Sequence, residues 1–352
     1  MKERKFKSRT PPEGRMEVEG TVLRGRALDP IEGRVVVEDG HIVAVEEVPT
    51  ESDAIVCPAF VNAHTHLGDS IAKEAGAGRS LDDLVAPPDG LKHRLLRAAS
   101  ADETVTAMRR SLRFMERSGT AATVEFREGG VAGVDAIGRA LDGLAIEAIV
   151  LGRETTAAMA AGDGFGASGA RDDDFTAERA AAREAGKPFG IHAGERDAAD
   201  LTPALDLDPT FLVHVVHPEP GHLDRIDREG VPVVVCPRSN LVTGVGMPPI
   251  ADLLDRTTVA LGTDNVMLNS PSMFREMEFA SKVGDVPADD VLRMATVNGA
   301  ELADLNCGVI EPGRAAKLLV LDGDSDNLSG VRDPVRAVVR RAGVGDVTRV
   351  VL

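Results

Sequence analysis

Histidine and aspartate residues stand at the ends of several apolar runs in this sequence of 352 residues. The first run ends with His64 and His66, and residues two apart in an extended segment point the same way, so both imidazoles face one centre. Later runs end at His192, His214 and Asp264. Imidazole and carboxylate groups suit zinc or a similar divalent ion, and three or four such ligands leave a position for water. The pattern predicts a metal site that activates water.

The middle of the chain alternates between apolar runs and amphipathic stretches that predict helices, such as 101–117. Eight runs are strand candidates: Ile55–Val61, Ala121–Phe126, Leu144–Leu151, Gly164–Gly169, Phe189–His192, Phe211–Val216, Val231–Cys236 and Val259–Gly262. Such alternation over about 250 residues favours an α/β fold of the (β/α)8 TIM barrel type over an open doubly wound sheet. Barrel enzymes build their sites at the carboxyl ends of the strands, where the histidines and Asp264 stand.

The two ends of the chain are both strand-like. Residues 35–37 and 41–45 flank an Asp-Gly pair, which predicts a hairpin. Near the C-terminus, 317–321 and 337–339 are apolar runs between Asp- and Gly-rich turns. We therefore predict a small β-sandwich domain built from residues 1–55 and 310–352, and a barrel domain over 56–309.

The charge of the chain limits its partners. Asp and Glu number 57 against 40 Lys and Arg, a net charge of −17, which argues against nucleic acid as a partner. Only eight of the basic residues are Lys. An acidic, Lys-poor surface is typical of a protein kept soluble in concentrated salt, so we predict a halophilic source. A genome of high GC content is the alternative explanation.

The sequence also bears on the compartment. No apolar stretch reaches the roughly 18 residues that a membrane-spanning helix needs. The cysteines Cys57, Cys236 and Cys307 are widely spaced and lack a C-x-x-C pairing, so we expect buried, reduced thiols. These observations predict a cytoplasmic protein.

Several motifs resemble one family of enzymes. Residues 58–67, Pro-Ala-Phe-Val-Asn-Ala-His-Thr-His-Leu, are similar to the opening motif of the amidohydrolase superfamily, in particular its branch of cytosine deaminases, guanine deaminases and chlorohydrolases. Residues 192–195 resemble the H-x-x-E motif of that branch, and 236–241 resemble its P-x-S-N segment. The resemblance continues through 262–265, 273–277 and 295–300 and covers most of the chain.

The resemblance implies a single divalent metal ion, Zn²⁺ or alternatively Fe²⁺. It implies four metal ligands: His64, His66, His192 and Asp264. Relatives with two metals bridge them with a carboxylated lysine on the fourth strand, and the candidate strand 164–169 contains no Lys, which favours one metal. A bridging Glu125 or Glu154 is the alternative.

The resemblance also implies catalytic roles. His214 would hydrogen-bond the metal-bound hydroxide or the developing oxyanion, and Glu195 would shuttle protons. Asp264, besides binding the metal, can accept a proton from the water.

We predict four substrate-binding residues: Arg127, Arg153, His93 and Asn240. The arginines close the second and third strand candidates, where a guanidinium could bind a carboxylate or phosphate group. Pairing with Glu125, Glu128 or Glu154 is the alternative. His93 lies in the long connection from His66 to Leu96, whose Pro and Gly residues are typical of a substrate lid, with surface cover as the alternative. Asn240 belongs to the P-x-S-N segment.

These features favour an enzyme that hydrolytically deaminates an amino-substituted nitrogen heterocycle. The substrate is then a small molecule, and a homo-oligomer is left open. Hydrolysis of a cyclic amide or imidazolone uses the same residues and is the alternative reaction. A non-catalytic binding protein descended from hydrolases is the alternative of another class, and the presence of all the ligands together with Glu195 argues against it.

Overall fold

The computed structural model describes residues 14–86 and 88–352. Within them the strands are β1 (Arg15–Arg24), β2 (Asp29–Glu38), β3 (His41–Glu47), β4 (Ile55–Pro58), β5 (Phe60–His66), β6 (Thr120–Arg127), β7 (Glu147–Gly152), β8 (Gly164–Ala167), β9 (Phe189–Ala193), β10 (Phe211–His214), β11 (Val233–Val235), β12 (Val259–Leu261), β13 (Asp264–Asn265), β14 (Leu318–Leu321) and β15 (Val347–Val351). The α-helices are α1 (Leu81–Val85), α2 (Leu91–Ala98), α3 (Ala101–Arg117), α4 (Gly130–Leu141), α5 (Thr156–Ala161), α6 (Thr176–Glu184), α7 (Leu201–Asp206), α8 (Pro220–Glu229), α9 (Pro237–Thr243), α10 (Ile250–Leu254), α11 (Met273–Val283), α12 (Ala288–Ala295), α13 (Val297–Leu302) and α14 (Pro334–Arg340).

A six-stranded sheet is formed from both ends of the chain, in the order β15-β14-β4-β1-β2-β3. The predicted hairpin is confirmed as β2–β3, and its turn residues Asp39 and Gly40 have φ of 47° and 77°. Positive φ at both turn residues matches the right-handed twist of the flanking strands. The described residues of this region form one sheet, so the predicted sandwich is not confirmed. The part of the predicted domain before Gly14 lies outside the described residues.

Two strand predictions in this region are wrong. The run 55–61 is not one strand: β4 pairs with β1 and β14, whereas β5 starts at Phe60 and pairs with β6. Residues 337–339 lie in helix α14, because the side chain of Asp333 accepts a hydrogen bond from Arg336 N–H and Pro334 occupies the first turn. Both are strong signals for a helix start. The strand beside β14 is formed instead by β15.

A nine-stranded parallel sheet forms the larger part of the fold, in the order β12-β11-β10-β9-β8-β7-β6-β5-β13. Its two outermost strands are separated by only Gly262 and Thr263, so the sheet curls until its edges meet. Gly262 N–H donates to the carbonyl of Val235 at 3.0 Å, and Thr263 N–H donates to the carbonyl of His64 at 3.1 Å. A Cβ on Gly262 would lie 2.7 Å from that of His64, so this approach requires glycine. The sheet is consistent with the predicted barrel.

Apolar side chains hold the strand ends in place. Every residue of β5 and β6 is buried, as expected for strands covered on both faces. Phe126 and Phe211 pack together with a centroid distance of 6.1 Å, beneath the end of the sheet that carries the histidines. Burial of one such ring contributes about 1.5–3 kcal/mol.

In the described part of the chain, no helix combines the length and apolarity needed to cross a membrane.

The described residues of the connection after β5, 67–86 and 88–99, carry regular structure and are called the cover segment below. It contains a 3-10 helix at 67–72, followed by α1 and α2. The side chain of Leu84 packs with Met267, beyond the end of β13. An ion pair between Asp82 and Arg196 joins α1 to the loop after β9. The cover segment is therefore fixed over the end of the parallel sheet at several points.

Candidate metal centre

The four predicted ligands converge at the carboxyl ends of their strands. His66 Nε2 lies 3.3 Å from His192 Nε2 and 3.5 Å from Asp264 Oδ1, and His64 Nε2 lies 3.3 Å from Asp264 Oδ1. Two overlapping groups each have one ligand atom per residue within 4.8 Å of the others: His64, His66 and His192, and His64, His214 and Asp264. A cation between these atoms would have nitrogen and oxygen donors on several sides.

Hydrogen bonds on the far side of two imidazoles orient them. Nδ1 of His66 donates to Glu128 Oε1 at 2.8 Å, and Nδ1 of His192 donates to the carbonyl of Ala167 at 2.7 Å. With the proton on Nδ1, the lone pair of each Nε2 faces the centre. Ligating histidines are usually held in this way.

The histidines are in the form that binds a metal. Burial lowers the pKa of His64 and His192, and it lowers the pKa of His66 to about 3. Neutral imidazole is the ligand form. Among the described residues, neither ring nitrogen of the buried His64 has a hydrogen-bond partner. An unpartnered buried nitrogen is costly, and a metal ion would satisfy it.

Asp264 is held as an oriented anion. Its Oδ2 accepts a hydrogen bond from Ser239 Oγ at 2.5 Å, and its Oδ1 accepts one from Asn265 Nδ2 at 2.8 Å. Burial opposes its ionisation, but His64 and His214 outweigh burial and hold the pKa of Asp264 well below its usual range. Asp264 and His214 both have positive φ, 56° and 81°. Such backbone costs about 1–3 kcal/mol per residue and is concentrated at functional sites.

Three of the predicted catalytic and substrate-binding residues form a hydrogen-bonded group. Asn240 Nδ2 donates to His214 Nδ1 at 3.1 Å and lies 3.4 Å from Glu195 Oε1. His214 therefore carries its proton on Nε2, which lies 3.6 Å from Glu195 Oε2. Burial raises the pKa of Glu195, and Asp264 adds to this effect, whereas His214 lowers it. The carboxyl group can thus hold a proton for transfer.

The site opens into a small cleft of about 90 Å³. Side chains from the metal group that line it are His66, His192, His214 and Asp264, together with Glu195. Arg153 also lines it and donates from Nη1 to Glu128 Oε1 at 3.1 Å. Leu81, Val85 and Ala86 of the cover segment form part of its wall.

Two predicted substrate-binding residues line a neighbouring cavity instead. Arg127 Nη1 lies 3.5 Å from Glu125 Oε1, and its Nε donates to the carbonyl of Glu128 at 2.9 Å. His93 Nε2 donates to the carbonyl of Val85 at 3.0 Å, within the cover segment. The structure brings Arg153 and Asn240 to the site but places Arg127 and His93 outside the cleft.

Sequence reasoning missed the residues that surround the ligands. The sequence suggests Glu128 only as an ion-pair partner for an arginine. Its position directly after β6 is the signal that could have placed it at the site. Ser239 lies inside the P-x-S-N segment, and Asn265 adjoins Asp264, so proximity to a motif was the available signal. Lys92 was seen only as part of the connection after the first strand, and no sequence pattern marks its contact with the site.

Known proteins resemble the chain in sequence and in fold. A putative aminohydrolase of Methanothermobacter thermautotrophicus is 36% identical to the chain, over 92% of this chain and 93% of the relative. A protein of Haloarcula marismortui named 5-methylthioadenosine/S-adenosylhomocysteine deaminase is 30% identical, over 89% of this chain and 85% of the relative. The fold resembles that of atrazine chlorohydrolase from Arthrobacter aurescens TC1, solved with zinc and atraton, with a TM-score of 0.80 and 19% identity over 94% of each chain.

The match to a family of proteins covers both the site and most of the fold. Residues 55–352 match the amidohydrolase family, and this range includes all four predicted ligands as well as Glu195 and His214. The chain belongs to the amidohydrolase family.

Proposed function

We propose that this amidohydrolase removes an amino group from a nitrogen heterocycle by hydrolysis, with a small molecule as substrate. The observation that carries the proposal is the position of Glu195 and His214 beside the four predicted ligands, at one cleft. The names of the two relatives, an aminohydrolase and a 5-methylthioadenosine/S-adenosylhomocysteine deaminase, support the same reaction.

We propose a single Zn²⁺ ion held by His64, His66, His192 and Asp264. A zinc ion binds nitrogen and oxygen donors at about 2.0–2.2 Å, so donors that share one ion must lie within about 4 Å of one another. The separations of 3.3 and 3.5 Å between the ring nitrogens and Asp264 Oδ1 fit this limit. A bound divalent ion supplies acidity, because it lowers the pKa of coordinated water to about 7.

We assign the proton transfers to ionisable side chains of the site. Asp264, kept ionised, accepts a proton from the attacking water. Glu195 donates a proton to the ring nitrogen, as its raised pKa allows, and recovers one from the hydroxyl group of the tetrahedral intermediate. The proton accepted by Asp264 passes to the departing amine. His214, with its proton fixed on Nε2 by Asn240, donates a hydrogen bond to the oxygen on which negative charge develops.

Arg153 is the predicted substrate-binding residue best placed to contact an acidic substituent, because it lines the cleft. Arg127, paired with Glu125, and His93, bonded to Val85, line the adjoining cavity and would contact only a substrate that extends into it. The described residues that line the cleft include no Phe. We therefore propose a polar heterocycle recognised by hydrogen bonds rather than by stacking on an aromatic ring.

We also propose an architecture and a cellular location for the whole protein. The parallel sheet is proposed to be a closed (β/α)8 barrel and the terminal sheet to be part of a β-sandwich. The three cysteines are buried and free, which supports a reducing, cytoplasmic location.

The test is ammonia release by zinc-loaded protein from a panel of aminated purines, pyrimidines and triazines, with cyclic amides and imidazolones in parallel. The proposal expects ammonia from at least one aminated heterocycle, and release from the same substrate roughly 10²–10⁴-fold slower with Glu195→Gln. Ring opening without ammonia would support the alternative reaction, and protein that holds no metal would contradict the metal site.

A further inference from the structure

Helix α2 is unusual because the one residue it buries is a lysine. Lys92 is only 2% exposed, whereas the neighbouring Arg94 and Arg97 of the same helix are exposed. Lysine is almost never buried unless it is paired. A helix of the cover segment thus directs a charged side chain, rather than an apolar one, toward the metal centre.

Lys92 contacts the supports of two ligands that come from different strands. Its Nζ lies 2.6 Å from Glu128 Oε1, the oxygen that accepts the hydrogen bond of His66. Nζ also donates to Asn265 Oδ1 at 3.1 Å, and Asn265 Nδ2 donates to Asp264. One ammonium group therefore connects α2 to His66 through one partner and to Asp264 through the other.

The ionisation of Glu128 depends on the positively charged side chains beside it. Glu128 is buried and needs cations nearby to remain ionised, and Lys92 and Arg153 both approach its Oε1. Arg153 comes from the end of β7, so it supports Glu128 whatever the position of the cover segment. Lys92 comes from the cover segment and reaches Glu128 and Asn265 only when α2 is in place.

We propose that Lys92 is a positioning residue that couples closure of the cover segment to metal binding. With Lys92 in place, Glu128 and Asn265 hold His66 and Asp264 in ligating orientation. Any metal-induced ordering of these ligands therefore stabilises the closed segment, since coupling between two sites is reciprocal. This inference rests on the metal site of the proposed function and adds a role for a residue that contacts no predicted ligand directly.

The test compares zinc-loaded wild-type protein with Lys92→Met and with the matched control Lys73→Met, which removes an exposed lysine of the same segment. Two quantities are measured: the rate of zinc release to a chromogenic chelator, and hydrogen-exchange protection of residues 81–98 with and without zinc. Loss of a group that hydrogen-bonds a ligand directly typically costs 10- to 100-fold in metal affinity. Because Lys92 acts through such groups, we expect Lys92→Met to release zinc about 10-fold faster. Zinc should protect 81–98 in the wild type and in Lys73→Met but not in Lys92→Met.

A purely structural role for Lys92 would change stability without removing the effect of zinc on the cover segment. Lys92→Gln, which keeps a hydrogen-bonding group, serves if Lys92→Met does not fold, and it should also release zinc faster than the wild type. Wild-type release rates together with zinc-dependent protection in a folded Lys92 variant would overturn the inference. Wild-type protein that binds no zinc would overturn both this inference and the proposed metal site, and that outcome is visible before any variant is compared.

Discussion

The surroundings of Glu195 have opposite effects on the pKa of its carboxyl group. Burial and the carboxylate of Asp264 raise its pKa, and His214, with Nε2 3.6 Å from its Oε2, lowers it. Its side chain is 18% exposed, so it can reach a substrate in the cleft. A group balanced in this way can give up and regain a proton during one turnover.

Glu195→Gln should therefore keep its zinc and lose roughly 10²–10⁴ in turnover, the usual contribution of a general acid–base group. Glutamine keeps the size of the side chain and the hydrogen-bonding site for Asn240, so the fold and the ligands should be unaffected. Metal content is measured by atomic emission, and turnover is measured on the best substrate of the panel. The retained zinc and the reduced turnover are thus checked separately. Turnover equal to that of the wild type would remove Glu195 from the mechanism.

The assignment of His192 as a ligand predicts how tightly the protein holds zinc. His192→Ala should lower zinc content and raise the zinc dissociation constant, because one of the four donors is lost. His217→Ala is the matched control, since His217 is exposed and lies three residues beyond His214. Both variants would be dialysed against a weak chelator before the metal is measured. Full zinc occupancy in His192→Ala would contradict its assignment as a ligand.

The convergence of the four predicted ligands could be expected from the sequence, but the contacts of the side chains around them could not. A histidine at the end of an apolar run can be seen without knowing the fold. The contact between Lys92 and Asn265 joins residues 173 positions apart, and the bond between Ser239 and Asp264 joins residues 25 apart. Such contacts depend on how the sheet curls, and no local pattern encodes that.

At the scale of elements, β5 to β12 were predictable because each contains an apolar run, whereas the two polar residues of β13 gave no strand signal. The errors occurred where a run is short and its signals conflict. Residues 337–339 are apolar enough for a strand, but Asp333 and Pro334 begin a helix, and α14 packs its Val338 into the same core as Met277 of α11. The break between β4 and β5 coincides with Pro58, a residue that disfavours the interior of a strand and that the apolar character of the run outweighed in the prediction.

The cover segment should respond to pH through His93. Burial, together with the nearby Lys92, lowers the pKa of His93 to about 4, below its ordinary value of 6.5. A histidine with a lowered folded-state pKa contributes stability above pH 6.5, and that contribution is lost as the pH falls from 6.5 through 4. Protonation would place a second cation beside Lys92, so α2 should loosen.

This prediction is checked by hydrogen exchange of residues 81–98 at pH 7 and pH 5, corrected for intrinsic rates. The wild type should lose protection over this range. His93→Gln, whose amide can still donate to the carbonyl of Val85, should lose less. Because acid also removes metal, both proteins are measured at each pH without zinc. Equal losses in the two proteins would show that His93 is not the responsive group.

At the scale of the whole molecule, the net charge of −17 destabilises the folded state, because folding brings many negative side chains together on a compact surface where they repel one another. Exposed ion pairs such as Arg139 with Asp102 and Arg225 with Asp206 offset part of it. Each such pair contributes little, about 0–1 kcal/mol. The remaining repulsion must be screened by salt, and the Debye length falls from about 10 Å at 0.1 M to about 3 Å at 1 M.

The melting temperature should therefore rise steeply between 0.05 and 1 M KCl, at roughly the concentrations over which screening becomes complete. Many proteins gain stability from strongly hydrated salts, so potassium sulfate alone would not separate screening from exclusion of salt from the surface. The comparison that does so is KCl against sucrose of equal osmolality, because sucrose is excluded from the surface but does not screen charge. A rise with KCl that sucrose does not reproduce supports a surface that depends on salt. A melting temperature that is constant over this range would contradict the predicted adaptation to salt and leave base composition as the explanation for the scarcity of lysine.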